Sequence, residues 1–228
     1  VPDMCGLELD VVSGSLDNIP RTGPVVILSN HPYGILDGLM MGQILSRTRD
    51  DFKILAHRVF AKAEDLNDAI LPISFDKTRE AMTLNLNTRK DALKYLCEGG
   101  AIGIFPGGSV SSPRKMFGRP MDPQWRTFSA KMISKSGATV VPIFFDGYNS
   151  RSFQMFGRVN KTLRTALLIN EFKKRLNAPV RVSIGKSLDH DVLETYLKDP
   201  RAMMDFLRTS TYDLSSNKIN HSEYGFDF

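Results

Sequence analysis

Val25-Val26-Ile27-Leu28-Ser29-Asn30-His31-Pro32-Tyr33-Gly34-Ile35-Leu36-Asp37 is the stretch on which the fold turns. A short, wholly apolar run, Val25–Ser29, gives way within a few residues to apolar positions at helical spacing: Leu36, Leu39, Met40 and Ile44. An apolar run without alternation suits a strand covered on both faces, as in parallel sheets flanked by helices. A strand feeding directly into a helix is the unit from which such sheets are built.

The same alternation continues outward. Strands are predicted at Leu7–Val12, Val25–Ser29, Phe52–Ala56, Ile70–Phe75, Ala101–Phe105, Thr139–Phe145 and Val180–Ile184. Pro72 is expected to make the pairing of the fourth irregular. Helices are predicted at Ile35–Arg47, Glu80–Glu98, Trp125–Ser136, Thr162–Leu176 and Arg201–Leu214. Met82, Leu86, Leu93 and Leu96 form the apolar face of the second helix, and Gly99-Gly100 ends it. The expected architecture is α/β, with a central, largely parallel sheet between helices. One domain spans residues 1–214, and 215–228 form a polar, loosely held tail on which Phe226 and Phe228 are placed to dock.

Composition narrows the function. The 228 residues are 24% charged and 42% hydrophobic, so neither disorder nor a fibrous repeat fits. Cys5 and Cys97 make no disulfide framework or metal spacing, which points to an intracellular chain. No apolar run reaches the ~18 residues of a membrane span, no Cys/His cluster predicts a metal or other cofactor, and no nucleic-acid module is visible. Net charge is +5, compatible with phosphate-bearing or membrane partners. The chain begins Val-Pro-Asp, so a targeting or anchoring segment is expected upstream.

His31 directly follows a strand, where α/β sheets place their chemistry. Asp37 falls in the first turn of the next helix, and Gly34 lets the intervening loop fold tightly. Imidazole is a suitable general base near neutrality, and a carboxylate on its second nitrogen holds the required tautomer. Spacing alone equally fits a helix-capping Asp37 beside a structural His31. Phe105-Pro106-Gly107-Gly108-Ser109-Val110 opens a strand into consecutive glycines, whose N–H groups can hold an oxyanion or simply make a tight turn. It is neither a P-loop nor a nucleophile elbow. Arg114, Lys115, Arg119, Arg126, Lys131 and Lys135 make a basic surplus that Asp122 alone opposes. Leu163–Leu176, apolar and basic together, reads as a membrane-surface helix or as one packed on the sheet.

These segments together resemble the glycerolipid acyltransferases, the lysophosphatidic acid acyltransferase superfamily, from about Leu7 to Gly147. Asn30-His31…Asp37 resembles the family's first motif, with five intervening residues here instead of four. Phe75-Asp76-Lys77-Thr78-Arg79 resembles the second, and Phe105–Val110 the third, with Gly107 and Val110 where the family usually has Glu and Arg. Val140-Val141-Pro142-Ile143 resembles the fourth. The resemblance implies a glycerol-3-phosphate acyltransferase-like fold, with His31 and Asp37 catalytic. Asn30, Lys77, Arg79, Gly107, Gly108, Ser109, Arg114 and Lys115 would be the substrate contacts, the last two replacing the missing Arg.

It implies an O-acyltransferase acting on a lyso-lipid, with acyl-carrier protein or CoA as thioester donor and no other cofactor. The motif details resemble the bacterial branch that makes ornithine lipids and related aminolipids. The implied place is the cytoplasmic face of the bacterial inner membrane, peripheral or anchored upstream. Alternatives are synthesis of phosphatidic acid, a non-catalytic lipid-binding module, and a serine hydrolase using Ser109.

Overall fold

The computed structural model describes residues 6–62, 68–156 and 161–227. Seven strands, β1 (Glu8–Ser13), β2 (Val25–Ser29), β3 (Phe52–His57), β4 (Ile70–Ile73), β5 (Ala101–Ile104), β6 (Thr139–Phe145) and β7 (Pro179–Ile184), form one sheet in the order β1-β7-β6-β2-β5-β3-β4. Neighbouring strands run parallel except β6 and β7. The expected α/β class and largely parallel sheet are what the chain adopts.

All five β2 residues are buried because both faces of the sheet are covered. Val25 and Ile27 point to one face, against Met40, Met41, Ile44 and Leu45 of α1 (Ile35–Ser46). Val26 and Leu28 point to the other. There they join the core that α2 (Arg79–Cys97) builds with α3 (Phe128–Ser136) and α7 (Pro200–Tyr212), through Ala92, Leu96, Ile133, Met204 and Leu207. Between α3 and α7 come α4 (Arg151–Phe156), α5 (Lys161–Lys174) and the single turn α6 (His190–Leu193). The short helices α4 and α6 carry too little apolar periodicity to be predicted. Phe172 of α5 packs on the first core, which favours a helix laid on the sheet.

Several expectations need correction. Pro72 pairs in register with Ala56, because β4 is an edge strand where a missing N–H costs no ladder bond. β4 stops at Ile73, and the Asn85 amide takes over both the N–H and the C=O of Ser74. The buried face of α2 is Ala81, Thr88, Ala92 and Leu96, while Met82 and Leu86 are exposed. Small residues bring the helix close enough for Thr88 Oγ1 to donate to the Pro72 carbonyl, at 2.6 Å. α3 starts at Phe128 and not at Trp125, since the indole is drawn into a buried hydrogen bond with Asp122.

The tail is also held. Arg208 of α7 donates to the carbonyls of His221 and Glu223, and Gly225 N–H to that of Asp122. Ile219 is buried, and Phe226 N–H bonds the Ser112 carbonyl although its ring is exposed. Phe228 lies outside the described residues.

Candidate active site

The carboxyl ends of β2 and β5 lie side by side, and each opens into the loop that bears its motif. After β2, Asn30 is used as structure. Its amide donates to and accepts from the backbone of Phe145, at 2.9 and 2.7 Å, extending the β2–β6 pairing by one side chain. Both amide groups are so engaged and the residue is buried, which gives Asn30 a structural role beside the expected site.

His31 then leaves the sheet with its ring partly accessible and stacked on Phe105, 4.3 Å between centroids. Its Nδ1 lies 3.0 Å from Asp37 Oδ2, with the N–H direction off the ideal hydrogen-bond line. In active sites such contacts commonly tighten only when substrate binds. Nε2 is the ring nitrogen left for a substrate.

Asp37 does both things that spacing left open. Its Oδ2 accepts from the N–H groups of Tyr33 and Gly34, each at 2.8 Å, capping α1, and the same oxygen faces His31. The chain turns between His31 and Asp37 at Gly34, whose φ of +82° is a left-handed value. A Cβ there would meet Leu168 and Val110 at 2.9–3.0 Å. Gly34→Ala should therefore cost about 1–3 kcal/mol, a shift that a urea unfolding midpoint resolves.

Tyr33 closes the loop. Its hydroxyl donates to the Asp146 carbonyl at 2.7 Å, and the Arg175 guanidinium lies 4.1 Å above its ring. Burial pushes the phenol up to about 12, so it stays a donor.

Asp37 is completely buried, and burial pushes its carboxyl above the ordinary value, against the pull of His31 and of the two N–H groups. Between its unfolded and raised folded pKa the folded state binds the extra proton. Its stabilising contribution is thus complete below the unfolded pKa and is lost as pH rises through the folded one. Asp37→Asn should accordingly gain stability relative to the natural protein between pH 4.5 and pH 8, while losing activity. Urea midpoints of both proteins at the two pH values test this, and an unchanged difference would contradict it.

The β5 loop supplies the opposite wall. Gly108 N–H closes a turn on the Phe105 carbonyl at 3.0 Å, so it is not available to an oxyanion as expected. The N–H groups of Gly107 and Ser109 donate to no acceptor among the described residues. Gly108 itself sits at φ +71°, and a Cβ on it would lie 3.1 Å from Arg126 Nε and 3.5 Å from Phe75. Arg126 and the end of β4 therefore flank the glycine turn.

Ser109 Oγ has no hydrogen-bond partner, His31 included, so it is not set up as a nucleophile. Lys77 and Arg79 are exposed beyond β4, and no described contact brings them to His31. Arg114 and Lys115 are likewise exposed and are not brought to it. Besides Arg126, Arg164 of α5 reaches this loop and donates to the Val110 carbonyl and to Ser112 Oγ at 3.0 and 2.9 Å.

Asp122 is the residue that sequence reading misplaced. It does not face the basic surface but is fully buried. Oδ1 accepts from His31 N–H at 3.1 Å and from the Ser111 hydroxyl, and Oδ2 accepts from the Trp125 indole at 2.9 Å. Its own N–H donates to the Tyr212 hydroxyl at 2.9 Å. It thus joins the His31 loop to the β5 loop and to α7. Among the described residues no group of His, Cys, Asp and Glu is placed to hold a metal ion.

An imidazole whose Nδ1 adjoins a carboxylate, stacked on the residue that leads into a turn with two unengaged N–H donors, has the parts to deprotonate a hydroxyl and stabilise an oxyanion. Comparison with known proteins points the same way. Two curated proteins named lyso-glycine lipid O-acyltransferase are each 26% identical to the chain. That from Phocaeicola vulgatus aligns over 220 residues, 91% of this chain and 74% of its own length. That from Bacteroides thetaiotaomicron aligns over 223, 91% and 76%. The crystal structure of the 1-acyl-sn-glycerophosphate (LPA) acyltransferase PlsC from Thermotoga maritima superposes with a TM-score of 0.53. It covers 93% of this chain and 75% of that one, at 15% identity, a likeness of fold. Residues 11–146, which carry every element of the site from β2 through β6, match the Acyltransferase family model, and the chain belongs to that family.

Proposed function

We propose that the protein moves a fatty acyl group from an acyl-carrier-protein or CoA thioester to the free hydroxyl of a lysolipid whose head is an amino acid. The observation that carries this is the His31–Asp37 pair, with its imidazole stacked on Phe105 at the entry to the Gly107–Ser109 turn, in a chain of this family. His31 Nε2 takes the hydroxyl proton while Asp37 steadies the imidazolium that forms. The oxygen bonds to the thioester carbonyl carbon, and the developing oxyanion is met by the N–H groups of Gly107 and Ser109. Collapse breaks the C–S bond, and the thiolate leaves with the proton held on His31. The base is worth roughly 10²–10⁴ in rate and one oxyanion donor about 3 kcal/mol.

The two curated relatives favour glycine over ornithine as the head. Val110, where the resembling family usually carries Arg, is buried under Gly34 and offers a phosphate nothing. The acceptor resides in a bilayer, so the reaction belongs at a membrane surface, which we take to be the cytoplasmic face of the bacterial inner membrane. Among the described residues no helix is long and apolar enough to cross it. Assay of lyso-glycine lipid, lyso-ornithine lipid and lysophosphatidic acid with both donors tests the reading. Turnover of lyso-glycine lipid ahead of the other two is expected, and turnover of lysophosphatidic acid alone would sink it.

A further inference from the structure

Beside the catalytic loops, but not lined by His31 or Asp37, is a cavity of about 380 Å³ between the 113–120 loop and α4. Three features set it apart. Asn149 lines it and is only 1% exposed, yet neither Oδ1 nor Nδ2 has a hydrogen-bond partner. Gln154, also buried, donates through Nε2 to the Ser111 carbonyl but leaves Oε1 unpaired. Buried polar atoms are rarely left this way, since each costs about 1–3 kcal/mol. Arg119 and Arg151 line the same space and form no ion pair with an acidic side chain among the described residues. Met116 and Phe117, 58% and 74% exposed, form its apolar wall.

We propose that this cavity binds the head of an N-acylated amino acid, and, resting on the function proposed above, that its occupant is the acceptor lysolipid. The chemistry is complementary group by group. The two guanidinium groups and the Asn149 amide N–H donate to a carboxylate. The amide oxygens of Asn149 and Gln154 accept from the single N–H of an acylated glycine. The alkyl chain leaves along Met116 and Phe117. A phosphate monoester or a fatty acid has no N–H to offer those oxygens.

The cavity wall is also bonded to the loop that carries His31. In an N-(3-hydroxyacyl)glycine six bonds separate the carboxyl carbon from the hydroxyl oxygen, two residue lengths or ~7 Å. From the cavity, Gln154 bonds the Ser111 carbonyl, and Ser111 N–H bonds the His31 carbonyl at 2.8 Å. One residue and two hydrogen bonds thus separate the cavity wall from the residue that carries the base.

The test measures binding without turnover, by calorimetry on His31→Ala protein with N-dodecanoylglycine and its methyl ester as probes. The acid is expected to bind at least about ten-fold more tightly than the ester. Arg119→Gln/Arg151→Gln, two exposed positions, should lose that preference with an unchanged melting temperature. Asn149→Ala should weaken both probes. Equal binding of acid and ester, or a preference that survives the double substitution, would overturn the assignment. Acid-selective, arginine-dependent binding in a protein that transfers no acyl group would uphold the cavity and remove only the acceptor reading. Transfer to lyso-glycine lipid by a protein whose binding ignores the carboxylate would remove the cavity and leave the function.

Discussion

Replacing His31 by Ala is expected to lower kcat for acyl transfer by at least ~10², with KM for the acceptor little changed and the melting temperature within a few degrees of the natural protein's. The loss is that of a general base, a group worth roughly 10²–10⁴. The fold should survive because the residue is anchored through its backbone. Its N–H goes to Asp122 and its carbonyl accepts from Ser111, and neither bond needs the imidazole. What the side chain loses is its stack on Phe105 and its 3.0 Å approach to Asp37, whose Oδ2 keeps the N–H groups of Tyr33 and Gly34. A variant that keeps more than about a tenth of the rate would show that another group takes the proton. A variant that melts far lower would show that the ring is a structural prop.

The parts of this site that could be read from the sequence are those whose partners are close along the chain. The β2 run, the turn at Gly34 and the first turn of α1 lie within thirteen residues, so His31 and Asp37 could be paired by spacing. The alternative of a capping carboxylate was equally legible, and the structure shows that the two roles coincide, because one oxygen faces both the helix N–H groups and the imidazole. The structural role of Asn30 is hidden because its partner is far along the chain. Standing next to the base it looks like a substrate contact, and only the fold brings Phe145 alongside to occupy its amide.

Distance along the chain hid the rest. Arg126 and Phe75 meet at Gly108 from separate loops. The buried face of α2 was mistaken because hydrophobicity marks Met82 and Leu86, whereas close approach to β4 selects Ala81, Thr88 and Ala92.

Asp122 is the far-off residue with the largest expected consequence. Asp122→Ala leaves His31 N–H, the Ser111 hydroxyl and the Trp125 indole without their acceptor in the interior. At about 1–3 kcal/mol for each unpaired group, and some 2–4 °C per kcal/mol in a chain of this size, the melting temperature should fall by at least about 6 °C. Activity should fall as well, measured well below that midpoint, because the backbone bearing the base loses its tether. A displacement near 1 Å is enough to cost about 10² in rate. Asp122→Asn separates the two effects of shape and charge. The amide fills the same space, yet its NH₂ must face an N–H donor, either the Trp125 indole or the His31 backbone. It should therefore lose about 1–3 kcal/mol and fall between the natural protein and the Ala variant in both melting temperature and kcat. An Ala variant as stable and as active as the natural protein would mean that the three donors find other partners, and that the β5 loop and His31 are held together by packing alone.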